Sequence, residues 1–398
     1  MRFAVVSFGS RGDVEPCAAV GRELVRRGHE VQMAVPPNML GFIESVGLSA
    51  VAYGPDSQAL LHDEAFVRRV TNPISALPEV MDHVMQVWGD KSTVLMSLAD
   101  RADLLLAGMN EQRLAANVAE YYGIPLAALH FFPPILPVGA LHSRITKEVD
   151  DAHRRALRLP DVGGPSRSLE IQAYDECCFP GLAAEWAEIA EWRPFVGALT
   201  LELGTDGDED VLSWIAEGTP PIYFGFGSTP ITSPAEAVAL ISAACARLGE
   251  RALIYSGAND FSMIPLSDRV KVVEEVNHAA VFPACRAVVH HGGAGTTAAG
   301  LRAGIPTLIL WFWLDQPIWA AVVERLKVGA SRQFSTIALE SLVEDLSSVS
   351  APQCISRARQ VAGLMTKSAQ SVASAADLVE DAAGRGRYGW ADTKANQY

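Results

Sequence analysis

The sequence predicts an α/β protein of two Rossmann-like, doubly wound domains, each a parallel sheet with helices on both faces. Three observations predict it. Short apolar runs rich in β-branched residues alternate along the chain with stretches of helical periodicity. Both halves open in the same way, with a strand, a glycine turn and a helix. The length of 398 residues is too great for one ordinary core and fits two.

The run Phe3-Ala4-Val5-Val6-Ser7-Phe8 reads as a buried strand, and Gly9 opens the turn that ends it. Residues 14–27 carry helical spacing and stop at Gly28. Residues 30–35 form the next strand and Pro36-Pro37 ends it, which completes a βαβ unit. A strand over 103–107, a helix over 112–122 and a strand over 125–130 continue the rhythm. In the second half, 221–226 is strand-like, 234–248 is helical, and 252–256, 270–273, 287–290 and 307–310 are further strands. Residues 144–168, charged and bearing Pro and Gly, read as a surface loop or a short helix pair. The first domain is placed at 1–198, a glycine- and acid-rich linker at 199–210, the second domain at 211–367, and a loose tail at 385–398.

Apolar residues make up 49% of the chain and charged residues 20%, a globular composition. The formal net charge of −14 argues against nucleic acid as a partner. No polybasic cluster is visible that would hold the chain to anionic lipid. The six cysteines include no C-x-x-C pair, and Cys177 and Cys178 are adjacent, so neither a zinc site nor a disulfide framework is indicated. The first apolar run is too short for a signal peptide core, and no later run reaches membrane length. The expected place is the reduced cytoplasm, with peripheral contact at the inner membrane face compatible with it.

The strongest chemical signal is His290-His291-Gly292-Gly293-Ala294-Gly295-Thr296-Thr297. A strand ends, glycines turn, and a helix begins, which exposes backbone N–H groups and the positive end of a helix dipole to an anion. His291, Thr296 and Thr297 add side-chain donors. Asp315-Gln316 follows the next strand; the pair suits adjacent sugar hydroxyls, and Asp315 equally suits a helix N-cap before Pro317. Gly9-Ser10-Arg11-Gly12-Asp13 ends the first strand, where Asp13 is either a general base or the cap of the following helix. Gly225-Phe226-Gly227-Ser228-Thr229 is the matching turn of the second half. Phe131-Phe132-Pro133-Pro134, with Trp88 and Met85, reads as apolar acceptor pocket or as core and loop packing.

Taken together with Glu275-Val276-Asn277-His278, these segments resemble, in order and spacing, the family 1 glycosyltransferases of GT-B fold. The resemblance is strongest to the actinobacterial branch that includes vancomycin-group and mycobacterial glycopeptidolipid enzymes. It covers the chain to about residue 380 and implies two Rossmann-like domains facing a cleft, acceptor-binding first and donor-binding second. It implies a last helix, 368–384, that crosses back onto the first domain. It assigns His291, Gly292, Gly293, Ala294, Gly295 and Thr296 to the donor diphosphate, with Ser10 and Ser228 beside it. Val276 and Asn277 are assigned to the nucleobase, Asp315 and Gln316 to the sugar, and Asp13 with Asp315 to catalysis. Two departures stand out: Phe8-Gly9-Ser10 replaces the histidine base many members carry after the first strand, and residues 137–157 are short beside relatives.

The implied reaction is an inverting transfer of a hexose or deoxyhexose from a UDP- or dTDP-sugar to a hydroxyl of a small hydrophobic acceptor. No cofactor is expected. The Asp-x-Asp spacings a metal would use, Asp206-Gly207-Asp208 and Asp208-Glu209-Asp210, fall in the linker, so the expected leaving-group stabilisation is metal-free. Two other readings stay open: a nucleotide-sugar 2-epimerase of the same fold, and a non-catalytic nucleotide-sugar-binding protein.

Overall fold

The computed structural model describes residues 1–62, 77–135, 140–160, 168–229, 231, 233–257, 259, 261 and 267–389. The chain divides into two compact units. The first comprises Met1–Tyr174, Leu182–Thr200 and Ala369–Tyr398; the second comprises Asp175–Gly181 and Leu201–Ser368.

The first unit is built on a six-stranded parallel sheet. Its strands are β1 (Arg2–Val6), β2 (Glu30–Val35), β3 (Ser49–Ala52), β4 (Leu104–Ala107), β5 (Leu126–His130) and β6 (Leu169–Gln172), in the order β3-β2-β1-β4-β5-β6. Helices α1 (Arg11–Arg26), α2 (Leu77–Ala99), α3 (Gln112–Tyr122) and α4 (Ala140–Ala156) belong to it. The order reverses between β1 and β4, and this switch point is where open α/β sheets bind ligands. Val6 lies in register with Ala107, and the Gly108 N–H donates to the Val6 carbonyl at 2.8 Å, so the turns after β1 and β4 leave the sheet side by side.

The second unit repeats the plan with β7 (Ile222–Gly225), β8 (Ala252–Tyr255), β9 (Val270–Val273), β10 (Ala287–His290), β11 (Thr307–Trp311) and β12 (Gly329–Gln333), ordered β12-β11-β10-β7-β8-β9. Its main helices are α5 (Asp208–Ala216), α6 (Pro234–Leu248), α7 (Ala294–Ala303), α8 (Gln316–Leu326), α9 (Leu339–Val349) and α10 (Pro352–Ala362). Alternate residues of its strands fill opposite faces: Ile222 and Phe224 pack into one core, Tyr223, Leu253 and Val288 into the other. The switch point lies between β7 and β10, where His290 is in register with Gly225.

α11 (Ser368–Gly389) joins the first unit from Ala369 onward. Arg27, after α1, donates to Asp377 at 2.6 Å, to Glu380 and to the Ala373 carbonyl; His29 meets Glu380 at 2.5 Å. No helix among the described residues is long and apolar enough to cross a membrane.

The structure departs from the sequence expectations at several places. Residues 140–156 are one helix rather than a loop or helix pair, because a charged amphipathic stretch packs one face on α2 and α3; residues 161–167 lie outside the described set. α1 starts at Arg11, not residue 14, since Ser10 takes the N-cap position. The acidic end of the expected linker is already the first turn of α5, where carboxylates favour the helix dipole. Helix continues past residue 384 to Gly389, interrupted at Gly386, whose φ is 67°; residues 390–398 lie outside the described set.

Candidate active site

The glycine turn of residues 290–297 begins with His290, fully buried at the end of β10. Its Nδ1 accepts the Gly292 N–H at 3.0 Å, so the neutral ring carries its proton on Nε2. Burial pushes the His290 pKa well below its usual value, with His291 and His278 adding to the effect. Gly292 has φ 98°, and a Cβ there would lie 2.9 Å from Ile309 Cγ2 and 3.1 Å from Gln316 Cβ. The turn thus has room only for glycine against the start of α8. Gly293 is the N-cap of α7, and the N–H groups of Ala294, Gly295 and Thr296 form its first turn, without intrahelical partners. Thr296 is half-buried beside them. Thr297 is a correction: it is fully buried and donates its hydroxyl to the Gly293 carbonyl at 2.8 Å, an internal bond that stiffens the turn instead of serving an anion.

His291 sits where the two glycine turns of the unit converge. A Cβ on Gly227 (φ 58°) would lie 2.7 Å from its Cε1, and a Cβ on Gly293 would lie 2.7 Å from its Nε2. Burial pushes the His291 pKa down to about 4, offset in part by the Gly225 carbonyl, so the ring is neutral at physiological pH. Ser228 follows Gly227 and is exposed.

The segment before α8 is closed by Gln316. Its side chain is buried, and its Oε1 accepts the N–H groups of Phe312 at 2.7 Å and Trp313 at 3.3 Å, leaving the amide NH2 as its donor. Leu314 adopts φ 56°, a left-handed conformation unusual for leucine, which turns the chain sharply into Asp315. Asp315 holds the N-cap position of α8, with no side-chain cap hydrogen bond.

Asn277 is committed differently. Its Oδ1 accepts the Ala279 N–H at 3.0 Å, capping the short helix His278–Val281, and its own N–H donates to Asp208 Oδ1 at 2.8 Å. Val276 packs on the core that holds Tyr223 and Phe282. Asp208, read from sequence only as part of an acidic linker, therefore shapes this loop. Burial opposes its ionisation, but the N–H groups of Asn277 and Thr205 and the Thr205 hydroxyl hold it below the usual carboxylate range. The Thr205-Asp206-Gly207-Asp208 spacing, a capping pattern, was the available signal.

In the first unit, Asp13 is the third residue of α1. Its Oδ2 accepts the Ser10 N–H at 2.7 Å and the Ser10 hydroxyl at 3.0 Å, and its Oδ1 accepts the Asn110 amide at 3.2 Å. Asp13 and Ser10 thus close the helix start together, with Ser10 as the N-cap residue. Burial raises the Asp13 pKa against these hydrogen bonds, a direction that makes a carboxylate a stronger base. Gly9 is required at φ 140°, because a Cβ there would fall 2.2 Å from Asp13 Oδ2. Asn110 was not singled out in the sequence; its signal was its place in the turn after the apolar strand β4, at the switch point. Of the apolar acceptor candidates, Phe131 is buried edge-on to Phe132, Trp88 meets His153 edge-on at 6.0 Å, and Met85 is exposed. Among the described residues no group of three His, Cys, Asp or Glu is arranged to hold a metal.

Residues 3–135 match the glycosyltransferase family 28 N-terminal domain, and residues 247–381 match the erythromycin biosynthesis protein CIII-like C-terminal domain. An uncharacterized glycosyltransferase of Mycobacterium tuberculosis is 57% identical over 97% of this chain and all of its own length. This chain belongs to the family 1 glycosyltransferases of actinobacterial type. The transferase is also similar to a sterol 3-beta-glucosyltransferase of Arabidopsis thaliana, 26% identical over 95% of this chain and 67% of that one. Its fold matches the crystal structure of glycosyltransferase VinC in complex with dTDP, with a TM-score of 0.66 at 20% identity, covering 97% of this chain and 100% of that one. The two six-stranded sheets of the transferase are thus a GT-B fold.

Proposed function

We propose that the transferase is inverting and metal-independent, and that it moves a hexose or deoxyhexose from a UDP- or dTDP-sugar to a hydroxyl of a small hydrophobic acceptor: a lipid, a glycopeptidolipid or a natural product. The observation that carries this reading is the seat of His291, a neutral imidazole enclosed by Gly227 and Gly293 at the N-terminus of α7. The first-turn N–H groups of Ala294, Gly295 and Thr296, and the Thr296 and Ser228 hydroxyls, offer a diphosphate a set of donors beside the His291 ring. Such donors stabilise the charge that develops as the leaving group departs, and losing one typically costs about 3–4 kcal/mol of transition-state stabilisation. Gly292, packed on Gln316, couples this turn to Asp315 and Gln316, which take the sugar hydroxyls. Val276 and Asn277 line the nucleobase.

Asp13 takes the proton of the acceptor hydroxyl as its oxygen bonds to the anomeric carbon and the bond from that carbon to the diphosphate oxygen breaks. Ser10 supports the carboxylate through two hydrogen bonds. The dTDP bound to VinC supports a nucleoside diphosphate donor, and the sterol in the name of the Arabidopsis relative supports an apolar acceptor. Cytoplasmic residence, with peripheral contact at the inner membrane face, suits such an acceptor.

The test is a thermal-shift panel of UDP- and dTDP-sugars, followed by transfer assays in excess EDTA with the donor that stabilises most. A ligand present at about 100 times its Kd stabilises the fold by about 2.7 kcal/mol. Stabilisation by one nucleotide class, with transfer undiminished in EDTA, is expected. No stabilisation by any member would remove the donor reading; loss of transfer in EDTA would remove the metal-free one.

A further inference from the structure

The first unit buries an ion pair that the proposed transfer does not use. Lys91, on α2, is 7% exposed, and Glu111, the residue before α3, is 5% exposed. Lys91 Nζ and Glu111 Oε1 are 2.7 Å apart. Tyr53, fully buried just after β3, donates its hydroxyl to Glu111 Oε2 at 2.5 Å. The same ammonium lies 3.5 Å from the centroid of the Phe8 ring and 5.0 Å from that of Tyr53. Gly54 admits it: a Cβ there would lie 2.6 Å from Lys91 Cε.

A buried pair of this kind gives little stability beyond what well-packed apolar residues would give, so its presence asks for a role. What it holds is specific. Glu111 directly follows Asn110, and the Asn110 amide donates both to the Phe8 carbonyl at 3.0 Å and to Asp13 Oδ1 at 3.2 Å. The pair therefore pins both ends of this bridge. It ties down the Asn110 turn through the Glu111 carboxylate and the end of β1 through the Phe8 ring.

We propose that Lys91, Glu111 and Tyr53 form a positioning device that keeps the Asn110 amide on the Asp13 carboxylate. An N–H donor favours the charged carboxylate and works against burial, so the device lowers the Asp13 pKa from where burial alone would set it. The other polar groups around Asp13 are Ser10, Ser7, whose hydroxyl donates to the Asp13 carbonyl at 2.8 Å, Cys17 further along α1, and the Arg11–Glu15 pair at the start of that helix. Lys91 and Glu111 enter together, and their charges oppose each other. The catalytic consequence rests on the base role proposed for Asp13; the positioning itself does not.

The experiment follows the Asp13 carboxyl by NMR in the full chain labelled at aspartate Cγ, with Asp13→Asn giving the assignment. This readout needs no substrate. Asn110→Ala is expected to raise the Asp13 pKa by about one unit, the scale of one lost hydrogen bond. The double variant Lys91→Met/Glu111→Gln removes both charges at once and should raise it comparably. Tyr53→Phe should give a smaller rise of the same sign, and Lys91→Arg should stay near the parent value. If Asn110→Ala shifts Asp13 while the double variant leaves it in place, the device is overturned; Tyr53→Phe decides the same question should the double variant not fold. A parallel pH profile of UDP or dTDP release from UDP-glucose or dTDP-glucose, with water as acceptor, separates the two readings. An Asp13 shift with no movement of the acid limb supports the device and overturns the base role.

Discussion

His290 Nδ1 accepts the Gly292 N–H at 3.0 Å, and this one contact shapes the glycine turn before α7. It holds Gly292 at φ 98°, where the backbone can press against Gln316 and present the start of α7. It also fixes the neutral tautomer of a ring that burial already keeps unprotonated.

His290→Leu keeps a side chain of moderate size and removes the acceptor. The affinity for UDP or dTDP, whichever nucleotide binds, is expected to fall about tenfold, about 1.4 kcal/mol. Calorimetric titration checks it, and an unchanged affinity would show that the turn holds its shape without the bond.

Gly293→Ala places a methyl group 2.7 Å from the present position of His291 Nε2, so the ring must move. A displacement of about 1 Å at a positioned group lowers turnover on the order of 10²-fold. The variant should remain folded, because Gly293 has φ −63°, which alanine adopts without strain. Turnover within a few-fold of the parent would mean that His291 is not held for the donor.

Asp13→Asn removes the proposed base, and turnover is expected to fall by roughly 10²–10⁴-fold. The stability sign is separate. The folded pKa of Asp13 is raised from 3.8, chiefly by burial, so its favourable contribution is complete below that value and is lost as pH rises through the folded pKa. Above the folded pKa the ionised carboxylate burdens the fold. The variant should therefore lose most ground to the parent below that pKa and least above it. Melting curves across pH, beside turnover measurements, check both statements.

Glu380 anchors α11 to the end of α1 through Arg27 and His29. Burial opposes its ionisation, but those two hydrogen bonds hold its pKa below 4.5. Its contribution is therefore present above that value and is lost as pH falls through the lower folded one. Glu380→Gln is expected to be less stable by about 1 kcal/mol or less near neutrality, with the gap closing in acid. Urea unfolding at the two pH values measures it, and a gap that persists in acid would assign the effect to packing.

The sequence carried the interior of both sheets. Strands such as β4, β7, β10 and β11 are buried on both faces, and a parallel strand buried on both faces must be a nearly continuous apolar run. The glycine turn before α7 was legible for a related reason: glycines, histidines and a helix start fall within eight consecutive residues, so local conformation alone builds most of it. Three of the four edge strands, β3, β6 and β12, were not read, because an edge strand is covered by fewer neighbours and needs no such run. The contacts around Asp13 were hidden for another reason. Asn110 reaches Asp13 across 97 residues and Lys91 reaches Glu111 across 20, and no local spacing rule announces such pairs. The family, the βαβ rhythm and the glycine turn before α7 were legible in the sequence, because each is written in consecutive residues. The edges of the sheets and the buried support beneath Asp13 were settled by the folded chain, because strand order and helix packing bring residues distant in sequence together.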